Sequence, residues 1–315
     1  MPATAINYLD PRTLATIGSL ELRARLIVEG LMTGMHRSPY QGISIEFAQH
    51  RPYTPGDDIR HLDWKVYGRT DKLYLKQYQK ETNLDMVLLM DLSESMAYAS
   101  EEQLVDTDAG RVPWRKYDHA ASMAAALAYL GLQQQDRVGL IMFSDRLRGA
   151  TRMSNTTEHW RGIVDLLTSG RPEPDVTPID EGTPVPARGS RATDLARVFD
   201  EVLGKVTRRS VMVLFSDLFD EPDAIDRAFA RVNHRRHDLI VLQTLDPAEL
   251  DFPYRAASDF RGLEGEGFHD VDPAALRKEY LRLFNDHLDR VEAMARRFRF
   301  DALRVNTGES LGPPL

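Results

Sequence analysis

The chain has 315 residues, with 40 Lys and Arg against 48 Asp and Glu, for a formal charge of −8. A hydrophobic fraction of 42% supports a sizeable core and excludes wholesale disorder. The acidic balance argues against general nucleic-acid binding, because phosphate affinity comes mostly from Lys and Arg. Cysteine is absent, which removes disulfides, thiolate metal sites and cysteine nucleophiles and fits a reducing, cytoplasmic setting. No stretch approaches the ~18 apolar residues of a membrane-crossing helix, so direct membrane insertion is not expected. Residues Met1 to Asp10 lack the basic start and apolar core of a secretory signal.

In chain order, the first region spans residues 1–82. Leu14 to Leu31 predicts one amphipathic helix, with Leu20, Leu22, Leu26 and Ile27 apolar. Ile43–Phe47 and Leu73–Tyr78 alternate as strands do. Between them, residues 51–64 are polar and turn-rich.

The second region, residues 83–315, alternates short apolar runs with helical patterns. Strands are expected at Met86–Met90, Val138–Phe143, Val211–Phe215, Leu239–Leu242 and Asp301–Val305. Helices are expected over Trp114–Gln134, His159–Leu167, Asp194–Leu203, Pro222–Asn233 and Pro273–Arg297. Such alternation predicts an α/β, Rossmann-like fold: a mainly parallel sheet with helices on both faces. Ligands then bind outside the carboxyl ends of the strands, where strand order reverses. Two polar excursions interrupt the pattern: acidic Ala99–Pro113, a candidate rim for partner selection, and proline-rich Gly170–Gly189.

Three turns carry candidate chemistry: Asp91-Leu-Ser93-Glu-Ser95 after the first strand of that sheet, Thr193 at a helix start, and Ser216-Asp217 after a later strand. Alternate residues of an Asp-x-Ser-x-Ser turn can converge on one point. Carboxylate and hydroxyl oxygens are hard ligands suited to Mg²⁺, which keeps octahedral geometry and retains waters.

This pattern resembles the metal-ion-dependent adhesion site of the von Willebrand factor A domain. The resemblance covers Leu84 to about Val305. It implies coordination by Asp91, Ser93, Ser95 and Thr193, with Asp217 acting through water, and Mg²⁺ as the ion, replaceable by Mn²⁺ or Ca²⁺. The usual Gly after the last Asp is Leu218 here. A narrower resemblance lies in Tyr53-Thr-Pro-Gly-Asp-Asp-Ile-Arg60, Leu62-Asp-Trp64, Arg69 and Leu75-Lys-Gln-Tyr-Gln-Lys-Glu81, which are similar to the bacterial domain of unknown function 58. That family implies an adaptor or chaperone-like role beside a MoxR-type AAA+ ATPase and a client protein. Its chains often continue past the last strand with another helix, whereas this one stops at Gly312-Pro-Pro-Leu315.

Other readings compete. Asp91 can be read as a phosphoryl acceptor, but the position two residues on, an acid–base Asp in haloacid-dehalogenase-like enzymes, is Ser93. Asp57, Asp58, His61 and Asp63 can be read as a hydrolytic metal site. An ion-paired turn with Arg60 and Lys65, anchored by Leu62 and Trp64, is the simpler account. His234 and His237 read as surface residues. No phosphate-binding loop, Gly-x-Ser-x-Gly elbow or His-Glu-x-x-His is present. The expectation is a non-enzymatic, metal-dependent interaction module; the alternative is a metal-dependent phosphatase or hydrolase.

Overall fold

A computed structural model describes residues 9–35, 49–54, 62–77, 84–107, 110–172, 195–254, 258–261, 268–271 and 273–315. The chain divides into two compact units, Gly34–Asn83, and Met1–Thr33 together with Leu84–Leu315.

The helix expected over 14–31 is two helices, α1 (Pro11–Ala15) and α2 (Leu20–Met35). The break falls at Thr16-Ile-Gly-Ser19. Gly18 and Ser19 are poor helix residues, and Ser19 Oγ instead accepts the Leu22 N–H at the new start. The inward face of α2 carries Ala24, Ile27 and Val28, while Leu22 is exposed. These helices therefore share the core of the sheet unit.

The smaller unit contains β1 (Gln49–Pro52), α3 (Trp64–Thr70) and β2 (Tyr74–Gln77), with β1 and β2 antiparallel. Asp63 caps α3, its carboxylate accepting from Lys65 N–H at 3.0 Å and Val66 N–H at 3.2 Å. Leu62 is buried, but Trp64 is 63% exposed and does not anchor this turn. The expected strand Ile43–Phe47 lies outside the described residues.

The larger unit continues with β3 (Asp85–Asp91), a 3-10 turn at Glu94–Ala97, and the hairpin β4 (Leu104–Thr107) and β5 (Gly110–Pro113). Next come α4 (Lys116–Gln133), β6 (Arg137–Phe143), β7 (Leu147–Ala150), α5 (Thr157–Ser169) and α6 (Leu195–Lys205). Then follow β8 (Val211–Ser216), α7 (Pro222–His234), β9 (Asp238–Leu245) and α8 (Pro247–Asp251). The hairpin β10 (Ser258–Arg261) and β11 (Phe268–Val271), α9 (Pro273–Phe298) and β12 (Asp301–Asn306) complete it.

The main sheet has six strands in the order β12-β9-β8-β3-β6-β7. Its first five strands are parallel, and β7 runs antiparallel to β6 at the edge. Both faces are apolar, as the continuous hydrophobic runs require. Leu88, Met90, Leu140 and Phe215 meet α4 and α5 on one face, with α2 packed onto that layer. Val87, Leu89, Phe143 and Leu214 meet α6, α7 and α9 on the other. The alanine run 120–128 lets α4 approach closely, and Gly131 continues that approach: an added Cβ would sit 2.5 Å from Met86 Cε. After β3 the chain steps to β6, then returns past β3 to β8. The reversal therefore lies between the carboxyl ends of β3 and β8, the position where such sheets form ligand crevices.

Candidate functional site

Asp91 is the last residue of β3, and Ser216 the last of β8. Parallel pairing of Met90 with Phe215 places the two residues beside each other at the reversal point. Ser216 Oγ donates to Asp91 Oδ2 at 2.5 Å and accepts the Leu218 N–H at 3.0 Å. Asp91 Oδ1 accepts the Ser93 N–H at 2.8 Å. The Ser93 and Ser95 hydroxyls lie 2.9 Å apart. Intervening Leu92 packs on the core and Glu94 faces solvent, so the turn alternates as its spacing predicts.

The Asp91 carboxyl is pushed up to about 6 by burial and by the neighbouring Asp217 carboxylate, against the opposing hydrogen bonds from Ser216 and Ser93. A buried acid next to a second acid is a place where added positive charge is favourable. Among the described residues, no group of three or more His, Asp or Glu forms a metal cage. An ion here would lean on hydroxyl, water and one or two carboxylate oxygens, the ligand chemistry of Mg²⁺.

Asp217 is 2% exposed and does not stand free. Its Oδ2 accepts from Lys116 Nζ at 2.7 Å, and the same ammonium donates to Glu249 Oε1 at 2.7 Å. Lys116 is fully buried at the start of α4. Burial works against its charge, but the Asp217 and Glu249 carboxylates outweigh burial and raise its pKa. Glu249 is itself raised by burial. Its Oε2 accepts the Asp246 N–H at 2.8 Å, closing a capping box on α8. Asp246 is taken up by the N–H groups of Ala248 and Ser100.

Leu218 has φ 55°, the left-handed region, at the position where the resemblance expects glycine. A side chain there costs about 1–2 kcal/mol. Burying a leucine stabilises by about 1.5–3 kcal/mol, and Leu218 is fully buried against the α6–α7 layer. The turn thus keeps its glycine-like shape without glycine. Leu218 O is held by His287 Nε2 at 2.8 Å, and Phe219 stacks on His287. Phe219 is 40% exposed and lies 5.1 Å from Lys116 Nζ, forming an aromatic wall with Phe284 and Tyr280.

The structure thus brings Asp91, Ser93 and Ser95 together, with Asp217 near enough to raise the Asp91 pKa. Thr193 lies outside the described residues, as do Asp57, Asp58 and His61. Asp63 is occupied as a helix cap. His237 is buried rather than superficial, its Nδ1 accepting the Ser210 N–H at 3.2 Å. Sequence reasoning missed Lys116 and Glu249; it singled out Ser216 with Asp217 but not the bond from the Ser216 hydroxyl to Asp91. One signal was legible: Lys116 lies four residues, about one helical turn, before Ala120 of the alanine-rich stretch that packs on the sheet.

The family model described as "Protein of unknown function DUF58" matches residues 49–290. The chain belongs to the DUF58 family. Curated DUF58 relatives include Uncharacterized protein Mb1516 of Mycobacterium bovis and Uncharacterized protein Rv1480 of Mycobacterium tuberculosis. Each is 26% identical over 282 residues, covering 88% of this chain and 80% of the relative. Among solved structures, this DUF58 chain is similar to conserved hypothetical protein BatB from Bacteroides thetaiotaomicron. That match has a TM-score of 0.42 and 12% identity, covering 71% of this chain and 90% of the other. An aerotolerance-related membrane protein from Bacteroides fragilis matches with a TM-score of 0.39 and 14% identity, covering 71% and 92%. Among the described residues of this DUF58 chain, no helix is long and apolar enough to cross a membrane.

Proposed function

We propose that this DUF58 chain is a cation-dependent protein–protein interaction module with a von Willebrand factor A-like sheet unit. Mg²⁺ is held by Asp91, Ser93, Ser95 and Thr193, with Asp217 acting through water. The observation that carries this reading is the convergence of Asp91, Ser93 and Ser95 at the topological reversal point. With Asp91 as the one directly bound carboxylate, the ion keeps positive charge and an open position. An acidic side chain of a partner completes the shell, so binding requires both the ion and that acid. The partner proposed is a MoxR-type AAA+ ATPase in the cytoplasm, and this chain is its adaptor toward a client protein. The chain performs no catalysis of its own in this reading.

Two measurements test the proposal. Mg²⁺ or Mn²⁺ at about 100 times its Kd is expected to stabilise the purified protein by about 2.7 kcal/mol. Asp91→Ala is expected to abolish that shift. Affinity capture from native lysate is expected to recover the ATPase with Mg²⁺ and to lose it in EDTA. Capture that is unchanged in EDTA refutes the bridging role. Phosphatase turnover that needs Mg²⁺ and disappears in Asp91→Asn would replace the module by an enzyme.

A further inference from the structure

The Lys116 ammonium is an unusual object at this place. It is fully buried, it opens the helix that lies along β3, and it spends two of its three N–H donors on Asp217 and Glu249. Phe219 and Tyr98 lie beside it, their ring centroids 5.1 and 6.0 Å from Nζ, within the range in which a ring face attracts a cation. Its backbone N–H is tied to Tyr98 O at 3.0 Å, three residues beyond Ser95, so the ammonium is positioned by the same segment that carries the serine hydroxyls. Asp91 and Asp217, the residue after the Ser216 that bonds Asp91, sit at these strand ends and Glu249 comes from α8, so three carboxylates stand against one ammonium. When all are ionised, two negative charges are left over.

We propose that Lys116 is a built-in cation that reserves Asp217 and Glu249, keeping both carboxylates from binding a divalent ion directly. This rests on the reading of a cation site at Asp91. A divalent ion beside Asp91 then meets one carboxylate whose partners are the neutral Ser216 hydroxyl and Ser93 N–H, together with neutral hydroxyls. It stays under-neutralised, and its remaining charge selects a partner that brings a carboxylate. Lys116 is a positioning residue in this scheme, setting how many protein charges the ion receives. Without it, Asp217 and Glu249 turn to the ion, and the site closes into a tighter, self-sufficient one.

The test uses the full chain and Mn²⁺ alone as the probe, titrated by calorimetry and by the loss of the free-ion paramagnetic signal. Wild type is expected to bind one Mn²⁺, with affinity at least tenfold lower in Asp91→Asn. Lys116→Met is expected to bind Mn²⁺ at least tenfold tighter than wild type. A damaged fold lowers affinity, so a gain distinguishes released carboxylates from a structural defect. Lys116→Met/Glu249→Gln leaves one fewer buried charge unpaired and serves if the single variant does not fold; the same direction of change is expected. Wild-type binding through Asp91 with no gain in either Lys116 variant overturns the reserving role and leaves the Asp91 site standing. No Mn²⁺ binding by wild type overturns both.

Discussion

Ser216→Ala is a direct probe of how the strand ends are locked together. The hydroxyl is 1% exposed and serves two groups, donating to Asp91 Oδ2 and accepting from Leu218 N–H. A hydrogen bond to a charged group contributes about 1.5–3 kcal/mol, and a buried N–H left without an acceptor costs about 1–3 kcal/mol. The variant is therefore expected to lose about 2.5–6 kcal/mol in metal-free buffer at pH 8, where the Asp91 carboxyl at about 6 is ionised. In an Asp91→Asn background the charge-assisted part weakens, so the same serine change costs about 1.5 kcal/mol less. Urea unfolding in EDTA, followed by the buried Trp114 and Trp160, measures all corners of this cycle. A Ser216→Ala loss below about 0.5 kcal/mol, or a coupling of zero, refutes the lock, because a bond that short to a buried carboxylate cannot be energetically silent.

Two further outcomes are expected. His119 is fully buried, with Nδ1 accepting from Trp114 Nε1 at 3.3 Å, and burial pulls its pKa down to about 3. The unfolded imidazole takes up a proton below about 6.5 and the folded one does not, so stability falls as pH drops through that window. By pH 5 the His119 contribution is about 2 kcal/mol, and His119→Asn should remove that part of the slope in urea melts compared at pH 7.5 and 5. An unchanged slope contradicts a neutral buried histidine. Leu218→Gly relieves a left-handed residue by about 1 kcal/mol but empties a buried site, for which Leu→Ala costs about 2–5 kcal/mol. Net destabilisation of about 1–4 kcal/mol is expected in thermal melts; a rise in Tm would mean that strain, not burial, governs this turn.

Much of the sheet was legible because its strands are buried on both faces and read as unbroken apolar runs. Met86–Met90, Val138–Phe143 and Val211–Phe215 lie within strands whose ends differ by only a residue or so. The hairpin at Leu104–Pro113 and the edge strand Leu147–Ala150 were not legible. They are short and partly exposed, and carry no apolar run to distinguish them from loop. The helix break at Gly18 was written in residues whose propensity effects are individually small. The Asp-x-Ser-x-Ser turn was readable because the convergence of its side chains depends on local spacing, which the chain carries wherever it folds.

By itself the sequence determined the alternating α/β order, the apolar strands and the converging oxygens of Asp91, Ser93 and Ser95. These are local properties, set by side-chain period and by turn geometry. Only the tertiary structure decided that Ser216 clamps Asp91 across 125 positions of sequence, and that Lys116 neutralises Asp217 and Glu249 across 101 and 133. Those partners meet because parallel pairing aligns the carboxyl ends of β3, β8 and β9, while α4 packs along the same edge. Charge at the site is a sum over groups that are close in space and far apart in the chain. A lysine that looks like an ordinary helix residue in sequence thereby becomes the internal cation of the site.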